Sequence, residues 1–278
     1  GKVVVTTGSS PHGQGTETTM AQIAADELGI PYEDVEVQYN DTLGTPFGYG
    51  TYGSRSAAVG GAALFNAVQK VKQKAVRIGA HMLEASPDDV VFEDGKVSVK
   101  GSPDQAKTIQ EIAGAAALGY SLPEGDEPFL DETAYFDPPN TTWPFGTHIC
   151  VVEVEKDTGS VMVKKYLAVD DVGNVVNPMI VDGQIHGGIA QGVAQALWES
   201  GEYNESGQLV SGSMMDYAIP RTDCLPSFEL DRTVTPSPTN PLGVKGVGET
   251  GTIASTPAVV NAVMDALSPF GVTHLDMP

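Results

Sequence analysis

Glycine sets the first constraint on this chain. Of its 278 residues 32 are glycine. Many of these gather in four short runs that each carry a polar side chain: GSSPHGQG with Gln14, GTPFGYGTYGS leading into Ser54, Arg55 and Ser56, DGQIHGG with Gln184, and GVKGVGETG with Glu249. Glycine weakens the interior of any helix or strand, and it is favoured where the backbone must take a left-handed turn or be approached closely. Runs of this kind read as loops that lead into helix starts, where free N–H groups suit a large anionic ligand held at many points. One such loop alone reads as a tight turn; four, each with a polar handle, read as a cofactor site.

The segments between the runs supply the scaffold. KVVVTT reads as a strand, TETTMAQIAADELG as an amphipathic helix stopped by Gly29 with Pro31 beyond, and VEVQYN as a second strand. Ser54 is a good N-cap residue for a long helix over 55–84. DVVFEDGKVSVK reads as a hairpin turning at Asp94-Gly95, and TIQEIAGAAAL as a short helix. The Pro-rich acidic stretch over 121–146 marks a boundary, which predicts a first lobe over 1–140 and a second over 141–278. Past it, THICVVEVEKDTGSVMVKKYLAVDDVG reads as a hairpin with Asp157-Thr158-Gly159 at its turn, and Asp170, Asp171, Asn177 and Pro178 shape the turn that follows. MIVDGQIHGGIAQGVAQALWES has helical periodicity with Gly183, Gly187, Gly188 and Gly192 read along one side. The fold class is α+β, two mixed lobes of similar size.

Charge and cysteine narrow the function. There are 36 acidic and 15 basic residues, a formal charge of −21, which repels nucleic acid. The two cysteines, Cys150 and Cys224, are far apart and form no CxxC pair, so no iron–sulfur, zinc or disulfide framework is encoded, and a reducing, cytoplasmic setting is expected. No apolar run is long enough to span a membrane, and the first residues lack the layout of a signal peptide. His12, His81, His148, His186 and His274 show no paired metal-ligand spacing and read as surface or packing residues, although His12 lies beside the first glycine loop. Trp143 and Trp198 read as packing residues. Lys245, four positions before Glu249, reads either as a phosphate contact or as local charge balance.

Two segments, 48–53 and 246–251, match GxGxxG. A dinucleotide fingerprint also needs a strand running into the glycines and an acidic residue about twenty positions on, and neither segment has both. The first is separated from its strand by a long loop, and the second follows the proline-broken TPSPTNPLGVK. The spacing from Gly243 to Gly248 imitates a P-loop, but Glu249 stands where the lysine belongs, and a carboxylate there opposes phosphate.

PHGQGTETTMAQIAADELGI, TYGSRSAAVGGAA, VDDVGNVVNPMIVDGQIHGGIAQGVAQALWE and GVGETGTIASTPAV, in that order, resemble the molybdopterin-binding domain of the molybdenum hydroxylases. These are the xanthine dehydrogenase and aldehyde oxidoreductase group, and the pattern is most similar to large subunits of the aerobic carbon monoxide dehydrogenase type. The resemblance covers nearly the whole chain. It implies a molybdenum–molybdopterin cofactor, in the cytosine dinucleotide form, held between the lobes by glycine-rich loops and helix N-termini, with the metal ligated through the cofactor dithiolene and by no side chain. Gln14 and Gln184 are implied to hydrogen-bond the pterin end, Gly53, Ser54, Arg55 and Ser56 to cradle the phosphates, and Gly13, Gly15 and Gly248 to contact the cofactor as well. Glu249 is implied to be the catalytic base, set in a water-poor pocket, that takes the proton from the water-derived oxygen during oxidative hydroxylation of an aldehyde, a purine, a heteroaromatic or CO.

The resemblance further implies an excised part of a larger enzyme, inactive alone. The N-terminal half of the large subunit, an iron–sulfur small subunit and an FAD medium subunit would complete a dimer of heterotrimers. The residues that choose the substrate, and any copper-binding cysteine, lie in the family before the point where this sequence starts. The competing reading is a dinucleotide-binding or interaction module without chemistry of its own. Such a module has no use for a carboxylate in GVGETG, and one that had lost its site would not be expected to keep Gln14, Gln184 and Glu249 together.

Overall fold

The structure is a computed structural model that describes residues 1–45 and 47–278; Pro46, inside the second glycine run, lies outside them. The chain divides into two compact units, Gly1–Thr141 with Pro238–Leu242, and Thr142–Ser237 with Gly243–Pro278. Helices and sheets mix in both, an α+β fold.

The first unit opens on strand β1 (Val3–Thr6), helix α1 (Thr16–Leu28) and strand β2 (Val35–Gln38), and the two strands pair in parallel with Val3 opposite Val35. Gly29 ends α1 in the left-handed conformation at φ 63°, with its own N–H and that of Ile30 returned to carbonyls of the last turn. A Cβ at Gly29 would lie 2.6 Å from Asp94 Cα, so glycine is required there for packing as well. Val5, Ala24, Leu28, Val68 and Ile109 form the core of this βαβ unit.

A π-helical turn, Ser56–Gly61, leads into α2 (Ala62–Met82). Ser54 is therefore not the N-cap expected of it: it takes a positive φ of 53°, and Arg55 holds the cap position without a side-chain hydrogen bond to the first turn. The widened turn brings Gly60 against the first glycine loop, where a Cβ would lie 2.7 Å from Ser9 Oγ. Strands β3 (Val90–Glu93) and β4 (Lys96–Val99) form the expected hairpin, with Asp94 and Gly95 at φ 46° and 70°, as a tight two-residue turn demands. A third strand, β5 (Ser102–Thr108), follows antiparallel to β4. Helix α3 (Ile109–Leu118) starts on a capping box between Thr108 and Glu111. Ala75, Ile78, Val97 and Ile112 make the core beneath.

In the second unit β6 (Phe145–Val154) and β7 (Val161–Asp171) form the expected long hairpin, and β8 (Phe228–Thr233) pairs in parallel with β7. Helices α4 (Pro178–Leu197) and α5 (Thr250–Leu267) pack on this sheet around Tyr166, Ile185, Ile189, Val193 and Val259. Asn177 caps α4, accepting from the Ile180 N–H, with Pro178 in the first turn. Trp198 packs against this core, whereas Trp143 is 74% exposed, contrary to its reading as a packing residue. Strands β5 and β8 have no counterpart in the sequence reading.

The glycines of α4 lie on two faces rather than one. A helix advances about 40° beyond a full turn every four residues, so Gly183 pairs with Gly187 on one face and Gly188 with Gly192 on another. Gly188 and Gly192 meet α5: a Cβ at Gly188 would lie 2.9 Å from Gly251 Cα, and one at Gly192 would collide with Ser255. Gly183 and Gly187 face open space, with nothing within 4 Å of either added Cβ. From α5, a Cβ at Gly251 would lie 2.5 Å from the Ile185 carbonyl oxygen and 2.8 Å from the Ile189 nitrogen. Gly251→Ala therefore has backbone, not a flexible side chain, to displace. It is expected to destabilise the second unit by about 2 kcal/mol or more, in the range of overpacked cores, as read from the denaturant midpoint; Gly187→Ala should stabilise or leave it unchanged.

Candidate functional site

In the first unit the structure brings two of the glycine runs together. The Gly50 N–H donates to the Gly8 carbonyl at 3.1 Å, the Ser10 N–H to Thr51 Oγ1 at 3.2 Å, and a Cβ at Gly48 would lie 2.4 Å from the Gly8 oxygen. The loop of Gln14 and the loop of Arg55 are thus one packed surface, because glycine lets their backbones touch.

Within it Gln14 has divided satisfaction. Its Oε1 accepts from the His12 N–H at 2.7 Å, which fixes the amide, while its Nε2 is buried without a partner among the described residues. A buried donor left unpaired costs about 1–3 kcal/mol, so this nitrogen is poised for an acceptor from outside the unit's own side chains. Gly13 (φ 100°) lies beside it with nothing within 4 Å of an added Cβ, and Gly15 (φ 81°) is the N-cap of α1. Having no side chain, Gly15 leaves the first-turn N–H groups of α1 uncapped by it. Gly53 (φ 57°) is likewise open. Arg55 donates from Nη1 to the Tyr52 hydroxyl at 2.6 Å and lies 5.1 Å from the Tyr52 ring centroid, which holds the guanidinium over the loop with donors to spare. Ser56 Oγ is 3.1 Å from Thr51 Oγ1.

In the second unit Gln184 is the seventh residue of α4, so it is presented from inside a helix and not at a helix start as its glycine run predicts. It directly precedes Ile185, whose carbonyl meets Gly251. Gly248 is exposed, and so is Glu249, the N-cap residue of α5. Gln184 and Glu249 therefore flank the same α4–α5 crossing. The water-poor enclosure expected of Glu249 is not formed by the second unit itself, since Gly248 and Glu249 are exposed although Thr250 and Gly251 after them are buried.

Behind Glu249 lies a buried polar network absent from the sequence reading. Asp171, at the end of β7, is fully buried and accepts from Lys245 Nζ at 2.8 Å, the Gly173 N–H at 3.0 Å and the Thr233 hydroxyl at 3.0 Å. Lys245 is 8% exposed, with Nζ 4.5 Å from the Phe145 ring centroid, and so serves this carboxylate and not a phosphate. Next to it His148 Nδ1 is 2.8 Å from the Tyr166 hydroxyl and Nε2 is 3.2 Å from Asp170 Oδ2, a wholly interior set. Burial pushes the Cys150 thiol up to about 11, which leaves it a packing residue. Asp170-Asp171 at a strand end and Lys245 before Glu249 stood out in the sequence, but not as one network, since the partners lie far apart along the chain. Among the described residues no cluster of three or more His, Cys, Asp or Glu is arranged to hold a metal, and no helix is long and apolar enough to cross a membrane.

Residues 1–226 match the family described as "Molybdopterin cofactor-binding domain". The chain belongs to this family. This molybdopterin cofactor-binding domain is 45% identical over 278 residues to the carbon monoxide dehydrogenase large chain of Hydrogenophaga pseudoflava, with 100% of this chain and 34% of that protein covered. It is 42% identical over 279 residues to the nicotine 6-hydroxylase large subunit of Paenarthrobacter nicotinovorans, with the same coverage. The crystal structure of the Cu,Mo-CO dehydrogenase in its carbon monoxide reduced state matches with a TM-score of 0.95 at 42% identity, over 100% of this chain and 35% of that one. The domain thus spans about a third of the length of the curated relatives it matches. An orphaned buried amide, open left-handed glycines and a helix start capped by glycine fit a cofactor rich in hydrogen-bonding groups and phosphate.

Asp171 gives the domain a defined acid response. Burial alone would raise its carboxyl, but the Lys245 ammonium, the Thr235 hydroxyl, the Gly173 N–H and the Thr233 hydroxyl outweigh it and hold the carboxyl well below the usual carboxylate range. A folded-state value below the unfolded one means that the unfolded chain binds the proton better. The stabilisation is complete above the unfolded value of about 3.9 and drains as pH falls below it. Denaturant midpoints should hold between about pH 7 and pH 5 and fall below about pH 4. Asp171→Asn should lower stability at neutral pH and flatten that acid limb; an unchanged limb would remove Asp171 as its source.

Proposed function

We propose that this chain is the cofactor-gripping and catalytic part of a molybdenum hydroxylase large subunit. The reaction is oxidative hydroxylation of a small substrate, an aldehyde, a purine, a heteroaromatic or CO, with water as the oxygen source. The observation that carries this reading is the buried, partnerless Nε2 of Gln14 beside open glycines at the start of α1.

Each unit offers its own groups to the cofactor. In the first, Gln14 donates from Nε2, with Gly13 and Gly15 leaving room for close approach, while Gly53, Ser54, Arg55 and Ser56 face the phosphates with backbone N–H groups, hydroxyls and a guanidinium. In the second, Gln184 supplies an amide that both donates and accepts, and Gly248 keeps the backbone before Glu249 open. The bound cofactor supplies the redox chemistry by accepting the two electrons that leave the substrate. Glu249 supplies the proton chemistry, its carboxylate accepting the proton from the water that provides the oxygen, which requires hydrogen-bond reach of that oxygen. The cytosine dinucleotide form, iron–sulfur and FAD subunits, a dimer of heterotrimers and a cytoplasmic setting complete the proposal, supported by the likeness to large subunits of multi-subunit enzymes.

The test is to produce the chain with the products of its genomic neighbours, measure molybdenum by elemental analysis, and follow dye reduction with aldehydes, purines and CO. An assembly without molybdenum overturns the reading. Glu249→Gln is expected to keep the metal and lose turnover by about 10²–10⁴-fold, the range for loss of a general base; loss of the metal instead would make Glu249 structural. Gln14→Leu is expected to lower molybdenum content, because it removes the donor while keeping the volume.

A further inference from the structure

We infer that Asp171 and Lys245 are positioning residues for Glu249: their buried ion pair fixes the segment 243–248 to the end of β7, so that Glu249 is presented between two anchored points. The inference rests on the reading of Glu249 as the base and adds how that base is held.

The first anchor joins backbone and side chain. The Lys245 N–H donates to the Val172 carbonyl at 2.8 Å, the Asn174 N–H to the Gly243 carbonyl at 3.0 Å, and Gly173 bridges Val244 in antiparallel fashion, so 243–245 runs as a short extra strand beyond β7. Only glycine permits this approach, since a Cβ at Gly173 would lie 2.3 Å from the Gly243 oxygen. The Lys245 side chain then turns inward to Asp171, 7% and 0% exposed respectively in their side chains. The second anchor is Gly251, pressed on the α4 backbone at Ile185 and Ile189. Between them the chain has only Gly246 to Thr250, steadied by Thr250, whose N–H donates to the Val247 carbonyl at 3.2 Å and whose hydroxyl donates to the Gly246 carbonyl at 3.3 Å. Two glycines among these residues would let an untethered loop wander. A general base works only within hydrogen-bond reach of its proton, so the tether acts on catalysis through geometry. A buried pair is a costly way to gain stability alone, because apolar residues of similar volume often serve as well or better.

The test uses the assembled holoenzyme and the double variant Asp171→Leu with Lys245→Met, which removes both charges and leaves no unpaired one. The expected result is a molybdenum content close to the parent's and a melting temperature lowered only as far as the Gly173, Thr233 and Thr235 donors that lose Asp171 account for, with kcat down by about tenfold or more at an unchanged KM for the compound that reduces dye fastest, as small misplacements of catalytic groups cause. Hydrogen exchange in the peptide covering 246–249 should quicken by about tenfold, while peptides from α4 and β7 keep the parent's protection. Lys245→Arg, which retains the charge, should recover most of the turnover. Parent-like exchange over 246–249 overturns the inference, as does an equal loss of melting temperature, molybdenum and kcat, which would make the pair a strut of the core. Because exchange is read independently of turnover, inactivity that comes from Glu249 not being the base shows itself separately, as an unaffected kcat in Glu249→Gln.

Discussion

The crossing of α4 and α5 on bare backbone is the contact on which the second unit depends. Gly188 and Gly251 sit face to face there, with an added Cβ on the first only 2.9 Å from the Cα of the second. A glycine inside a helix costs about 1 kcal/mol against alanine, and α4 carries four. Gly188 and Gly192 recover that cost as helix–helix contact, and the result is geometric as well as energetic: Gln184 and Glu249, one residue before and two residues before the touching backbones of Ile185 and Gly251, are brought to one crossing by atoms that have no rotamers to change. Gly183 and Gly187 make no such contact, since among the described residues nothing lies within 4 Å of an added Cβ at either.

How much of this was legible depended on how local each cause is. The strand β1, the helix α1 and its stop at Gly29 were readable because period, cap and terminator are all written within a few residues, and the turn at Asp94-Gly95 was readable because two successive left-handed residues admit few other sequences. Strands β5 and β8 were not, because SPDQAKT is too polar to show a buried face and FELDRT lies between prolines; both are strands by virtue of β4 and β7 beside them. Ser54 was misread as a cap because a π-helical turn follows it, and the close packing of Gly60 against Ser9 within that turn joins residues far apart in sequence. The four polar handles at Gln14, Ser54 to Ser56, Gln184 and Glu249 stood out in sequence because each sits among glycines. Lys245 stood out too, but its two readings could be separated only by finding its carboxylate 74 residues away.

The first unit illustrates the same limit on fold-level analogy. Its β1–α1–β2 segment is a parallel βαβ unit with a glycine loop at the helix start, the form in which many nucleotide-binding modules begin. That form alone would favour a dinucleotide reading. The details oppose it: β2 ends on Gln38 and not on an acidic ribose partner, and the loop carries a buried amide nitrogen without a partner among the described residues. The site, not the fold, separates the two.

Glu249 completes this reasoning through its exposure. An exposed carboxylate on a chain of charge −21 is unremarkable by itself. What singles it out is the construction beneath: a strand end, a buried ion pair and a glycine crossing all converge on the short segment that bears it. Solvated side chains do not need their backbone held from two sides, and structure of this kind is expected where a group must keep its place while its partners come and go. The fold thus orders the backbone of a residue whose side chain stays exposed, which is what the proposed role of Glu249 requires.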